Sequence, residues 1–100
     1  MLTNKQKAYL KGLANSLSPV TQIGKDGVTY NVIESVDNAL EAKELIKLSV
    51  LKTCPQEVNE VAIELASETH SDVVQMIGRV IVLFRVNRKK GKIELPRWKR

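Results

Sequence analysis

At 100 residues, with 43% hydrophobic and 27% charged side chains, the chain is long enough for one domain with its own core and has an ordinary globular composition. No apolar run approaches the roughly 20 residues that a membrane-spanning helix needs. The first residues also lack the apolar segment of a secretory signal. The single cysteine, Cys54, has no partner for an internal disulfide, so we expect a reducing, cytoplasmic location.

The net charge of +5 is concentrated at one end of the chain. Residues 85–100 carry eight basic side chains and one acidic one, whereas residues 1–84 carry eight basic and ten acidic ones. A basic segment of this kind favours contact with a polyanion, although a solvated tail without a partner has the same composition. Trp98 lies within the segment, where it could stack on a base or anchor the tail to the body.

Residues 3–16 have the spacing of an amphipathic helix, and Thr3 with Gln6 fits a capping box. The predicted apolar face consists of Leu2, Tyr9, Leu10, Leu13, Ala14 and Leu17. Lys7 and Lys11 lie four residues apart and share a face, with Lys5 close by. Lysines in this arrangement are also typical of a solvated helix face.

A short glycine-bracketed segment, Gly24-Lys25-Asp26-Gly27, follows a predicted strand at residues 19–23 and precedes a predicted helix. A helix start leaves backbone N–H groups unpaired, and the helix dipole favours negative charge there. Glycines allow a tight turn and close approach of a ligand, and Lys25 adds a cation at the tip. The segment therefore predicts a phosphate contact, although most G-x-x-G patterns are only turns.

The second half of the chain alternates strands and helices. A helix predicted from Thr29 or Tyr30 to Lys43 is followed by a strand at residues 44–51, an order that implies a parallel pair of strands with a right-handed crossover. The third helix is predicted to open at Thr53, which has capping-box spacing to Gln56. Four glutamates occupy its outer side: Glu57, Glu60, Glu64 and Glu68. His70 follows as a capping or surface residue.

Residues 73–77 and 80–86 are apolar and β-branched, and the Gly78-Arg79 pair between them predicts a type II′ hairpin with Arg79 at its tip. The strand at residues 80–84 is apolar throughout, so we expect it at the centre of the sheet. The order α-β-α-β-α-β-β predicts a compact two-layer α/β sandwich with a mixed four-stranded sheet. We expect residues 1–86 to form this one domain and residues 87–100 to form its basic C-terminal extension.

An ordered set of short motifs resembles one family. The motifs are TNKQK (residues 3–7), LKGLA (10–14), IGKDGVT (23–29), ELIK (44–47), IGR (77–79), VLFR (82–85) and LPR (95–97). In order and spacing they resemble the CRM domain (chloroplast RNA splicing and ribosome maturation), in its free-standing bacterial YhbY-like form. The resemblance implies a fold like the C-terminal domain of translation initiation factor three, with an added N-terminal helix.

The resemblance also implies RNA binding and association with ribosomal RNA in precursors of the large ribosomal subunit. It assigns a contact with the RNA backbone to the loop, that is to Gly24, Lys25 and Gly27. Further basic residues are predicted to widen the contact: Lys5, Lys7, Lys11, Arg79, Arg85, Arg88, Lys89, Lys90, Lys92 and Arg97. Asp26 departs from what a phosphate site favours unless its carboxylate caps the helix. Phe84 stands where many relatives carry tyrosine.

We expect no catalysis, because the sequence contains no nucleophile–base pair, no metal-ligand set and no P-loop. Accordingly we expect no cofactor, metal or small-molecule substrate, no membrane contact, and a monomer in isolation. With only four aromatic residues, the predicted mode is recognition of RNA backbone shape. The alternative is a protein-interaction module that docks a basic ribosomal protein on the acidic face of the third helix.

Overall fold

The computed structural model describes residues 2–86, which form three helices and four strands. In chain order these are α1 (Asn4–Ala14), β1 (Pro19–Ile23), α2 (Tyr30–Lys43), β2 (Leu45–Val50), α3 (Val58–Thr69), β3 (Asp72–Ile77) and β4 (Val80–Phe84). The order of elements and the mixed sheet are those predicted from the sequence. The predicted basic extension, residues 87–100, lies outside the described residues.

The sheet has the strand order β1-β2-β4-β3. Strands β1 and β2 are parallel, as the strand–helix–strand order predicted, and β4 pairs antiparallel with both β2 and β3. Strand β4 is central, and its last four residues are buried, which confirms the expectation from its apolar sequence. Since Ile23 pairs with Val50, and Ser49 with Val80, the ends of β1 and β2 meet the β3–β4 hairpin. We call this end of the sheet the carboxyl edge.

Helices cover both faces of the sheet, so α1 adds a third layer to the two that the sequence predicted. On one face, α2 and α3 pack on alternate residues of β2, represented by Ile46, Leu48 and Val50. On the other face, α1 packs through Leu10 and Ala14 against residues that include Leu45, Val82 and Phe84. Phe84 is 1% exposed, so it is a core residue under α1.

Threonine side chains cap the starts of two of the three helices. Thr3 caps α1 and forms the predicted capping box with Gln6, and Thr29 caps α2 by accepting from the N–H of Val32. The predicted start of the third helix is wrong, because α3 begins at Val58 with Glu57 as its N-cap. The Gln56 side chain bonds elsewhere in the fold and is not available to Thr53.

The apolar face of α1 is narrower than the sequence predicted. Leu10 and Ala14 are buried, whereas Tyr9 and Leu13 are 42% and 37% exposed. The helix also ends at Ala14, two residues before the predicted end, because a turn at Asn15 and Ser16 precedes β1. Tyr9 and Leu13 each precede a buried residue by one position, so both lie on one side of the buried stripe.

Replacing Gly12 by alanine should raise the free energy of unfolding by about 0.5–1 kcal/mol, measured by urea denaturation. Gly12 lies inside α1 and is exposed, and a Cβ added there would meet no atom within 4 Å. Alanine would therefore lower the entropy of the unfolded chain without a steric cost in the folded state. An unchanged or lower stability would contradict the helical environment of this residue.

Candidate functional site

The G-x-x-G segment forms a tight turn, which we call the G-x-x-G turn (residues 24–27). The N–H of Gly27 donates to the carbonyl of Gly24 at 3.0 Å, and Gly27 has φ +67°, a value that favours glycine. Lys25 and Asp26 occupy the two central positions and are exposed. Because Thr29 caps α2, Asp26 does not, and its carboxylate remains at the tip beside Lys25.

The backbone N–H groups around this turn are only partly available to a ligand. Those of Gly27 and Val28 are used internally, the latter by the side chain of Gln56 at 2.9 Å. Those of Lys25 and Asp26 have no partner among residues 2–86. Within the turn itself, the N–H groups without a partner thus lie at the tip, where a phosphate oxygen would approach from outside the turn.

Three connecting segments lie together at the carboxyl edge: the segment after β1, the segment after β2 and the β3–β4 hairpin. The N–H of Leu51, just after β2, donates to the carbonyl of Ile23 at 2.9 Å. A Cβ added at Gly24 would lie 3.6 Å from Cδ1 of Leu51 and 3.9 Å from Oγ1 of Thr53. The exposed Lys52 therefore lies in the segment that adjoins the G-x-x-G turn. We did not predict this residue, although the parallel pairing of β1 and β2 implied that their following residues would be neighbours.

Arg79 is also at this edge, but its side chain does not extend freely from the hairpin. Its Nε donates to the carbonyl of Val50 at 2.7 Å, and its Nη2 donates to the carbonyl of Leu51 at 2.6 Å. Arg79 thus ties the hairpin to the end of β2. A guanidinium has five N–H donors, so these bonds leave donors and the positive charge beside the segment that contains Lys52.

The structure does not bring Arg85 to this edge. Arg85 follows β4 at the opposite end of the sheet, with its side chain only 20% exposed. Its Nη1 donates to the Asp37 carboxylate at 2.6 Å and to the Thr69 carbonyl at 2.8 Å, and its Nη2 donates to the Asp37 carbonyl at 3.1 Å. Glu41 lies 3.5 Å from Nη2. Arg85 therefore joins α2 to the end of α3.

The lysines of α1 lie on the opposite side of the sheet from α2 and α3. Lys5 and Lys11 are exposed, and Lys7 is half-buried. Lys47 of β2 lines a groove of about 200 Å³ beside Ala14, at the end of α1. Most acidic residues belong instead to α2 and α3, so the charges are segregated between the two faces: Glu34, Asp37, Glu41, Glu60, Glu64 and Glu68.

The tail candidates lie outside the described residues: Arg88, Lys89, Lys90, Lys92 and Arg97. Trp98 does too. Within residues 2–86, His, Cys, Asp and Glu side chains form no group of three or more that could hold a metal ion. Over the same span, every helix is too short or too polar to cross a membrane. His70 ends α3 in the left-handed conformation and is exposed, in agreement with the predicted capping or surface role.

Comparison with known proteins identifies the relatives of this chain. A model of the CRS1 / YhbY (CRM) domain matches residues 2–85. The chain is 47% identical over 96 residues to the Bacillus subtilis protein named "Probable RNA-binding protein YqeI", covering 96% of this chain and all of that protein. It is 40% identical to a Haemophilus influenzae protein named "RNA-binding protein", over 96% of each chain.

The fold also matches a solved structure. The solution structure of SAV1595 from Staphylococcus aureus, described as a candidate RNA-binding protein, aligns with a TM-score of 0.80 and 45% sequence identity. The alignment covers 96% of this chain and all of that one.

Proposed function

Because the chain belongs to the CRS1/YhbY (CRM) domain family, we propose that it binds RNA, with the tip of the G-x-x-G turn as a contact to the phosphate backbone. The names of its relatives support RNA as the ligand. The observation that carries the site is the exposed Lys25-Asp26 tip, whose two N–H groups have no partner among residues 2–86. Lys52 and Arg79 add positive charge in the adjoining segments.

Charge distribution supports an RNA surface made of the carboxyl edge and the α1 face. Residues 1–84 carry more acidic than basic side chains, so the body as a whole does not attract a polyanion. The acidic residues of α2 and α3 lie on the other face of the sheet from Lys5, Lys11 and Lys47. RNA that approached the α1 face would therefore meet lysines and avoid the carboxylates of α2 and α3.

We further propose that the RNA is ribosomal RNA in precursors of the large subunit, and that the protein assists ribosome assembly in the cytoplasm as a monomer without catalysis. The family resemblance supports this role. Binding to large-subunit ribosomal RNA fragments tests it, beside a scrambled structured RNA of equal length. A tenfold preference for one fragment, roughly 1.4 kcal/mol, would indicate a specific site on the precursor. Equal affinity for all RNAs would contradict the assembly role.

A second candidate function is docking of a basic ribosomal protein on α3. Glu60 and Glu68 are exposed on α3, and Ile63, one turn after Glu60, is 61% exposed and would give such a partner an apolar contact. Glu68→Lys is the variant that separates the two functions. Glu64 bonds Gln56, and Glu60 accepts from the N–H of Glu57, so changing either would also disturb the local structure. If the protein docks through α3, Glu68→Lys should abolish its association with precursors of the large ribosomal subunit and leave its binding to isolated RNA unchanged.

The change Lys25→Ala should weaken RNA binding by about three- to tenfold near 0.1 M salt. It should also reduce the slope of log K against log salt by roughly 0.7–0.9, the value of one phosphate contact. Both follow if Lys25 neutralises a phosphate, and titrations at several salt concentrations measure them. Lys43→Ala is the matched control, because Lys43 ends α2 away from the carboxyl edge. If the two variants behaved alike, the turn would not be the contact.

A further inference from the structure

The side chain of Gln56 connects the G-x-x-G turn to α3. Gln56 lies in the segment between β2 and α3 and is half-buried. Its Oε1 accepts from the N–H of Val28 at 2.9 Å, across 28 residues of sequence. Its Nε2 donates to Oε1 of Glu64 at 3.0 Å, near the middle of α3. The turn is therefore bonded to a helix on the far side of the connecting segment.

Glu64 fixes which way the Gln56 amide faces. An ionised carboxylate can only accept, so it requires the NH₂ group of Gln56 on its side. The oxygen of the same amide must then face Val28, whose backbone N–H can only donate. The opposite orientation would oppose two acceptors at one end and two donors at the other. Val28, Gln56 and Glu64 thus form a relay with one favourable arrangement.

The amide of Gln56 also packs against the turn itself. A Cβ at Gly27 would lie 2.6 Å from Oε1 of Gln56, closer than two such atoms approach. The absence of a side chain at Gly27 lets Gln56 reach the backbone. The turn is therefore held by the Gly27–Gly24 bond within it and by Gln56 at its end, which leaves Lys25 and Asp26 to face outward.

We infer that Gln56, oriented by Glu64, is the positioning residue of the G-x-x-G turn for RNA, although it touches no RNA itself. This inference rests on the proposed function. Preorganisation is its physical basis: a turn that is already ordered loses less conformational entropy when it binds a phosphate. Without the relay, the tip would sample other conformations, and Lys25 would meet a phosphate less often in the right geometry.

The first test is Gln56→Met, which keeps the length of the side chain but removes both hydrogen bonds. We expect RNA binding to weaken by about fivefold. We also expect the amide of Val28 to exchange with solvent faster by about the same factor, measured by NMR without RNA. In the Lys25→Ala background, Gln56→Met should weaken binding by a smaller factor than in the wild-type protein, because the Lys25 charge that Gln56 positions is absent and only the N–H contacts of the tip remain. An equal loss in both backgrounds would overturn the inference.

Glu64→Ala gives a second test, because a role of Glu64 through its charge and a role through Gln56 predict opposite changes in RNA affinity. Removing a negative charge should strengthen binding to RNA if charge alone matters. A positioning role predicts instead a loss of about threefold, with Glu64→Gln restoring affinity because its amide oxygen can still accept from Gln56. Glu68→Ala is the matched control: it removes the same charge from the exposed face of α3 and should not weaken binding.

The outcomes separate this inference from the function on which it rests. If the wild-type protein bound no RNA, the proposed function would fail, while the exchange rate of Val28 would still report whether the relay holds the turn. If Gln56→Met left that exchange rate unchanged, the relay would be overturned whatever the protein binds. If Glu64→Ala bound RNA more tightly, Glu64 would act through its charge and not through Gln56.

Discussion

Gly27→Ala should lower the free energy of unfolding by about 2–3 kcal/mol, measured by urea denaturation. Two costs contribute. A residue with a side chain at φ +67° costs about 1–2 kcal/mol relative to glycine. The new Cβ also meets the end of the Gln56 side chain at 2.6 Å. Because that side chain is flexible it can move away, but the N–H of Val28 then loses its acceptor, which costs about 1 kcal/mol more.

Two other glycines separate these costs. Gly78 has φ +57° with no atom within 4 Å of an added Cβ, so Gly78→Ala should show the backbone cost alone, about 1–2 kcal/mol. Gly24 has no positive φ, and its nearest neighbour would be 3.6 Å away, so Gly24→Ala should stay within about 0.5 kcal/mol of wild type. Equal losses for Gly27→Ala and Gly78→Ala would mean that Gln56 does not constrain the turn.

The parts of the fold that the sequence predicted correctly are those that a local period or a local hydrogen bond determines. The apolar run of residues 80–84 identified the central strand, and Thr3 with Gln6 marked the start of α1. Gly78-Arg79 predicted the hairpin, in which Gly78 has the positive φ that a glycine-first turn requires. These features involve residues close in sequence, so the sequence pattern is enough to predict them.

The roles of individual polar side chains were not predictable in the same way, because their partners are distant in sequence. Arg85 bonds Asp37 across 48 residues, and Arg79 bonds Val50 across 29. Their charge suggested the RNA surface, but it gave no indication of these bonds within the fold. Thr53 and Gln56 show the same limit in a helix start. Their spacing fits a capping box, but the bonds from Gln56 to Val28 and Glu64 take that side chain into the tertiary structure.

The candidate site follows the same division. The sequence located the G-x-x-G turn and its exposed lysine, but it overstated the N–H groups on offer, because Gln56 and Gly24 accept two of them. It also left out Lys52, whose closeness to the turn depends on the parallel pairing of β1 with β2. The net charge of the chain gave no indication that lysines lie on the α1 face and most carboxylates on α2 and α3. This separation arises because α1 packs on the opposite face of the sheet from the other two helices.

Arg85→Ala should lower the free energy of unfolding by about 2 kcal/mol, measured by urea denaturation, and should leave RNA affinity unchanged. The guanidinium joins the Asp37 carboxylate and backbone to the Thr69 carbonyl at the end of α3, and a hydrogen bond to a charged group contributes about 1.5–3 kcal/mol. We take the lower part of that range because Asp37 is 53% exposed and solvent screens the pair.

Lys25→Ala should give the reverse result, with weaker RNA binding at unchanged stability, since Lys25 is exposed and makes no hydrogen bond or ion pair within residues 2–86. Arg85→Lys keeps the charge of Arg85 but not its planar fork, so it should recover only a small part of the lost stability. If Arg85→Lys bound RNA normally while Arg85→Ala bound it several-fold more weakly, Arg85 would contribute charge to the RNA surface after all. If both variants bound RNA with the wild-type affinity, then within residues 2–86 the basic residues that contact RNA would be those of the carboxyl edge and the α1 face.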